Sequence, residues 1–138
     1  MPRFEFDALG RKIRTVQPGG QTEGFTFDAG GNPIRYTNFN GVILTNQYDA
    51  LNRLTNKTSG SYFVRFTYSS TGQHATMADA SGNYSYLYDS RDRLTTNSGP
   101  VGTLVYSFDE FGRLTTLAST PASNMTRTWA FTTCVVAI

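Results

Sequence analysis

Half of the ten acidic residues recur at one spacing: Asp7, Asp28, Asp49, Asp89 and Asp109. Four of them stand four residues before an arginine: Arg11, Arg53, Arg93 and Arg113. Carboxylates in pairs can divide general-acid and general-base work, and a nearby guanidinium can hold a substrate. The surrounding residues point elsewhere. Most of these acids open an Asp-x-x-Gly tetrad, as in Asp7 to Gly10, Asp28 to Gly31 and Asp109 to Gly112. Asp at the first position and Gly at the fourth suit a type I turn. The carboxylate accepts from backbone N–H groups two residues on, and Gly tolerates positive φ. Where Gly is missing the chain has Asn52 or Asp92, the side chains next most tolerant of left-handed geometry. The acids and glycines therefore read as turn chemistry, and the Asp–Arg pairs as a ladder along the chain that adds little stability per exposed pair.

The remaining reactive side chains are isolated. His74 is the only histidine and has no evident metal-ligating companions. Ser69, Ser70 and Asp79 are near it in sequence, but no nucleophile elbow surrounds either serine. Cys134 is the only cysteine, so neither an intramolecular disulfide nor a cysteine-based metal site can form. Gly19-Gly20 and Gly30-Gly31 lack the strand–loop–helix setting of a phosphate cradle. Asn56-Lys57-Thr58, Asn83-Tyr84-Ser85 and Asn124-Met125-Thr126 match the glycosylation pattern, which arises by chance in so Asn- and Thr-rich a chain. No catalytic residue, cofactor or metal is expected, and the chain reads as a non-enzyme.

The turns belong to a longer period. Lead aromatics Phe6, Phe27, Tyr48, Tyr68, Tyr88 and Phe108 are spaced by 21, 21, 20, 20 and 20 residues. A fixed period of this kind marks a repeat architecture. Four copies are clear, at Phe6–Arg11, Tyr48–Arg53, Tyr88–Arg93 and Phe108–Arg113; those at 27–32 and 68–73, with Gly31 and Gly72 at the turn, are weaker. Between turns the residues alternate. Leu104, Tyr106 and Phe108 share a face, as do Tyr62, Val64, Phe66 and Tyr68, and Tyr84, Tyr86 and Tyr88. Period-two alternation is the mark of a half-buried strand. A second turn is signalled by Gly20, Gly41, Gly82 and Gly102, each fourteen residues after its lead aromatic; Gly60 comes at twelve, so its hairpin should be shorter. Each repeat is then two antiparallel strands and two turns.

Composition agrees. Thr, Ser and Asn number 40, Lys occurs only at 12 and 57, aromatics reach 14% and charged residues 16% of the 138 residues. Thr and aromatics favour strands. The net charge of +2 is made of interspersed acids and bases with no basic run, which argues against nucleic acid. Residues 1–10 contain no apolar signal-peptide core, and the apolar end from Cys134 to Ile138 is too short to span a bilayer. The expected fold is all-β: an antiparallel hairpin meander, curved or part of a spiral, with one aromatic face and one Thr/Ser/Asn face. Such a face needs covering, since each aromatic carries roughly 150–250 Å² of surface. The sheet must curl, stack, or continue into further strands.

The repeated unit, an aromatic-Asp pair, two variable residues, then Gly-Arg-Leu, resembles the YD-repeat, or Rhs, family. The match is full or nearly so at 48–54, 88–94 and 108–114, looser at 6–13 and partial at 27–34 and 68–75. The resemblance covers residues 4 to 116 and leaves 117–138 as a degenerate tail, in which only Phe131 echoes a lead aromatic. Members of the family include bacterial Rhs proteins, shell-forming subunits of insecticidal toxin complexes, and teneurins. The resemblance implies a β-sheet strip that forms part of a hollow shell or surface scaffold. It implies an extracellular or cell-surface place, and as partners further repeats or another copy joined at the sheet edges. It also implies an alternative, carbohydrate binding on an aromatic face, for which Tyr84, Tyr86, Tyr88 and Tyr106 are the candidates. Family members are many times longer and end in a core segment with self-cleavage aspartates and a variable effector; neither is recognisable here, so the chain reads as a fragment or a short repeat protein.

Overall fold

The computed structural model describes residues 1–121 and the backbone of 127–130. Thirteen strands run in chain order: β1 (Arg3–Phe6), β2 (Lys12–Val16), β3 (Thr22–Phe27), β4 (Pro33–Thr37), β5 (Ile43–Tyr48), β6 (Leu54–Ser59), β7 (Tyr62–Tyr68), β8 (His74–Asp79), β9 (Gly82–Tyr88), β10 (Leu94–Gly99), β11 (Gly102–Phe108), β12 (Leu114–Pro121) and β13 (Arg127–Ala130). Each lead aromatic is the last residue of its strand. The chain divides into two compact units, Met1–Phe66 and Thr67–Ile138. The division falls inside β7. In the first unit, neighbouring strands pair antiparallel from β1 to β7. In the second, they pair antiparallel from β8 to β13.

The motif turns are closed by a constant pair of backbone bonds. Gly10 N donates to Asp7 O (3.0 Å) and Asp7 N to Arg11 O (2.9 Å), and the same pair recurs at Asp28, Asp49, Ser69, Asp89 and Asp109. The residue in fourth position has positive φ in every copy: Gly10 (75°), Gly31 (87°), Asn52 (60°), Gly72 (98°), Asp92 (59°) and Gly112 (85°). A type I turn followed by a left-handed residue bulges the strand beside it. The register slips accordingly just before Phe6, Phe27, Tyr48 and Phe108.

The second turns fall into two kinds. After β2 and β4 they repeat the motif turn, with Gln17 and Asn38 in the place of Asp and with Gly20 and Gly41 at φ 86° and 77°. After β6, β8 and β10 only two residues lie between paired positions: Ser59 faces Tyr62, Asp79 faces Gly82, and Gly99 faces Gly102. The shorter hairpin expected at Gly60 is thus shared by three repeats. The equal offset hides this difference, because Gly82 and Gly102 begin a strand whereas Gly20 and Gly41 sit in the turn itself.

Each unit is one open layer and does not show the expected curl. Among the described residues no hydrophobic side chain is fully buried, and Thr15 is the only polar one that is (4% exposed). The two faces differ nonetheless. Along β9, Tyr84, Tyr86 and Tyr88 are half-buried while Asn83, Ser85 and Leu87 are exposed; along β11, Leu104, Tyr106 and Phe108 are half-buried while Val105 and Ser107 are exposed. A single layer covers one side of each aromatic with its cross-strand neighbours and leaves the other side open. The expected tail from 117 begins inside β12, and Asn124, Met125, Thr126, Phe131 and Cys134 lie outside the described residues.

Two glycines separate conformational from steric demand. A Cβ on Gly41 would touch nothing within 4 Å, whereas one on Gly102 (φ 141°) would run into the Thr120 carbonyl and come within 2.8 Å of Pro121 Cα. We predict that Gly41→Ala costs roughly 1–2 kcal/mol, the left-handed penalty alone, and that Gly102→Ala costs clearly more. Urea unfolding of the two variants checks the order.

Candidate functional site

The motif carboxylates are consumed by their own turns. Asp7 Oδ1 accepts from Leu9 N (2.9 Å) and Arg11 N (3.0 Å), and its Oδ2 accepts from Arg11 Nε (2.6 Å). Asp49 does the same with Leu51 and Arg53, and Asp89 with Arg91 and Arg93. Asp109 holds Arg113 N (2.8 Å) and Arg113 Nε (2.7 Å). In the second copy Asn32 stands for the arginine and donates to both oxygens of Asp28. In the fourth, Ser69 Oγ accepts from Gln73 N (3.1 Å). These bonds all favour the ionised carboxylate, so Asp7, Asp49, Asp89 and Asp109 lie below the ordinary aspartate value, chiefly through the N–H of the arginine four residues on. Asp28 is lowered chiefly by the Asn32 side chain. A general acid needs the opposite displacement.

The arginines have a second task that the motif alone does not reveal. The Arg11 guanidinium lies 4.5 Å from the centre of the Phe27 ring, and that of Arg93 lies 4.6 Å from Phe108. Each arginine thus pairs with the aspartate of its own repeat and stacks on the lead aromatic of the next. Arg93 Nη1 also donates to Asp109 O (3.5 Å), and Arg91 Nη1 to Glu110 O (2.8 Å). Asn32 Nδ2 donates to Asn52 Oδ1 (2.7 Å), linking the second and third turns. The side chains of Arg11, Arg53 and Arg93 are 30%, 29% and 27% exposed; Arg113, over Phe111 of its own turn at 5.4 Å, is 68% exposed. The signal for this contact was present in the sequence. Arg11 and Phe27 flank one hairpin symmetrically, as do Arg93 and Phe108, and antiparallel pairing brings such residues opposite one another.

The four candidate ligand-face tyrosines lie on the half-buried side of β9 and β11. Tyr84 packs over Gly99, where an added Cβ would come within 2.6 Å of the ring. Tyr88 donates its hydroxyl to His74 O (3.0 Å) and its pKa is raised by desolvation and by Tyr86. Tyr86 faces Asn97 and Tyr106 faces Leu117. Beside Tyr84 a hollow of about 470 Å³ is walled by Leu104, Val101, Pro121 and Thr120. His74 is exposed, its ring 5.0 Å from Tyr68. Among the described residues no three His, Cys, Asp or Glu side chains gather into a metal site, and no helix is long and apolar enough to cross a membrane.

No family model matches the chain, and no curated protein matches it. Solved structures do. The TcdB2-TccC3 structure without its hypervariable C-terminal region superposes with a TM-score of 0.76 at 17% identity, over 92% of this chain and 8% of that one. The TcdB2-TccC3-Cdc42 structure gives 0.74 at 17% identity, again over 92% and 8%. The Photorhabdus luminescens Tc holotoxin pore gives 0.68 at 16% identity, over 92% and 9%. The chain has the YD-repeat fold. It spans less than a tenth of the length of the toxin-complex chains it superposes on. The YD-repeat motif, read first as a spacing, is therefore a fold-defining turn at each copy.

The lowered aspartates set a pH dependence. A carboxylate with a lowered folded-state pKa contributes stability that is whole above the unfolded value of 3.8 and is lost as pH falls through the lowered values. We predict a melting temperature that is level near neutrality and falls on acidification below about pH 5. Asp89→Asn should lower the plateau and shallow the acid limb, and Asp89→Ala should lower it further, because Asn keeps an acceptor for the Arg91 and Arg93 N–H groups. Arg93→Lys should cost about 1 kcal/mol by removing the fork and the stacking on Phe108. Thermal melts of each variant across this pH range check all three.

Proposed function

We propose that this chain is a non-catalytic structural segment of a YD-repeat protein, part of a β-sheet wall whose aromatic face is covered in the complete assembly. The observation that carries the reading is the use made of its reactive groups. Every motif aspartate is held by its own turn, and Arg11 and Arg93 join their turns to the next repeat. The likeness to toxin-complex chains supports the same reading, and from it we infer toxin encapsulation or a surface scaffold outside the cell as the setting. The covering partner is then a further YD-repeat segment or an enclosed chain. Carbohydrate binding gains no support: the four tyrosines are half-buried against their sheet neighbours, as packing residues are.

A wall segment taken alone has an apolar face open to water. The purified chain should bind a hydrophobic dye such as ANS and associate as its concentration rises, with a β-type circular dichroism spectrum. Replacing Leu104 and Tyr106 together by Lys should reduce dye binding several-fold and keep the β spectrum. A wild-type chain that binds no dye would overturn the covered-wall reading, and specific turnover of a substrate would overturn the non-catalytic one.

A further inference from the structure

Gly24 lies in the middle of β3, where a glycine weakens a strand and often marks the close approach of a ligand. The fold itself does not require it. Its φ is not left-handed, and an added Cβ would meet only the Ile13 carbonyl, at an ordinary 3.5 Å. Arg14 and Thr37 oppose it on β2 and β4, Thr22 and Thr26 flank it on β3, and Arg35 opposes Thr26. Opposed residues share a face and successive residues alternate, so these side chains gather on the face away from Phe25 and Tyr36. Around Gly24 they line a hollow of about 350 Å³, at the lower end of the range of small-molecule pockets, about 300–1,000 Å³.

This place departs from the repeat. Arg14 and Arg35 each stand eight residues after a lead aromatic, where the later copies have Asn56, Thr76, Thr96 and Thr116. Gly24 stands three residues before one, where the other copies have Arg3, Thr45, Arg65, Ser85 and Val105. The side chain is missing only where arginines of two successive repeats flank it. Two strand spacings across and two residues along separate the Arg14 and Arg35 Cα atoms by about 12 Å, so both side chains can reach over Gly24. Both guanidiniums have capacity left. Arg14 has Glu5 Oε1 at 3.5 Å from Nη1, and its side chain is 49% exposed. Arg35 is exposed and, among the described residues, has no hydrogen bond, ion pair or ring contact. The Glu23 carboxylate is engaged on the other face by Thr15 and Tyr36.

We propose that the hollow binds a tetrahedral oxyanion, a phosphate or sulfate group, seated over Gly24 between the Arg14 and Arg35 guanidiniums. The guanidinium fork matches phosphate geometry. Two forks and three threonine hydroxyls offer more donors than the two oxygens of a carboxylate can take up, whereas a tetrahedral group turns oxygens to both arginines at once. The missing Cβ lets the group settle onto the sheet. The group arrives either as the free anion or as an ester. The site lies on the face opposite the aromatic one, so neither outcome below bears on the covered wall.

The full chain titrated with inorganic phosphate at constant ionic strength should show saturable shifts of the Thr26 and Thr37 amide resonances. Arg14→Gln and Arg35→Gln should each weaken binding at least about tenfold, the loss of one charge-assisted contact. Should Arg14→Gln lose its fold with the Glu5 contact, Arg35→Gln carries the test alone. Arg65→Gln removes the same charge from the same face, outside the hollow, and should leave binding unchanged. Glu5→Gln frees Arg14 and should tighten it. Gly24→Val fills the hollow with a good strand former, so it should melt no lower than the wild type yet bind at least about tenfold more weakly. Acetate should bind at least about tenfold more weakly than phosphate. Methyl phosphate binding more tightly than phosphate assigns the site to an ester, and the reverse assigns it to the free anion. The absence of saturable shifts, an Arg35→Gln chain that binds as the wild type does, an Arg65→Gln chain weakened as much as Arg35→Gln, or acetate binding as tightly as phosphate overturns the proposal. So does a Gly24→Val chain that melts lower and still binds phosphate, since the glycine is then structural.

Discussion

The structure depends on a carboxylate accepting two backbone N–H groups across a turn. The Asp side chain fixes the first residue of the motif turn, and the turn then requires a left-handed residue in fourth place, which pushes one extra residue into the hairpin. That bulge moves the strand register by one just before the lead aromatic, as at Phe6 and Phe108. The aromatic is thereby left at the strand end, beside its own turn and within reach of the preceding arginine. Remove the carboxylate bonds and the turn loses the side-chain brace that the Asp copies add to its two backbone bonds.

A layer without a buried core must find its stability in such local units and in their coupling. Cross-strand pairs contribute only about 0.2–1 kcal/mol each, so the connection between repeats matters. Arg11 on Phe27, Arg93 on Phe108, Arg91 on Glu110 and Asn32 on Asn52 supply it at successive turns. This is the energetic pattern of repeat proteins, in which intrinsic unit stability and nearest-neighbour terms add. It also accounts for the tolerance of the weak copies. The fourth repeat has Ser69 for Asp and Gln73 for Arg, yet keeps the same two backbone bonds, because its neighbours and its glycine still define the turn.

What the sequence disclosed follows from the same logic. Turns were legible because their chemistry is local: an acceptor, a left-handed residue and a fixed interval between them. Asn52 and Asp92 could be read as positive-φ positions with no knowledge of their surroundings. Strands and their two faces were legible because alternation is local too. The arginine–aromatic stacking is legible only once the hairpin is taken as symmetric about its second turn, a register that the motif itself does not state. The split between the two kinds of second turn was not legible. Gly41 and Gly102 occupy the same offset, but one meets a conformational demand and the other meets the backbone of Thr120 and Pro121.

The half-covered face also differs in chemistry between the units. In the second unit it is mainly aromatic and aliphatic, with the hollow beside Tyr84 and Leu104. In the first it carries Glu23, which accepts from Thr15 Oγ1 (2.9 Å), Tyr36 Oη (3.2 Å) and Lys12 Nζ (3.4 Å). Glu23 is held below the ordinary glutamate value, first by Thr15, and Tyr36 is raised by desolvation and by Glu23. Around them Phe25 stacks on Tyr36 with centroids 4.8 Å apart, and Lys12 lies over Phe4 and Phe25. A bare carboxylate on this face would resist being covered, because burying an unpaired charge is costly. With three donors already in place, one of them the Lys12 cation, most of that cost is met within the protomer. The polar cluster is therefore compatible with a covered wall, and it makes the two faces selective for different neighbours.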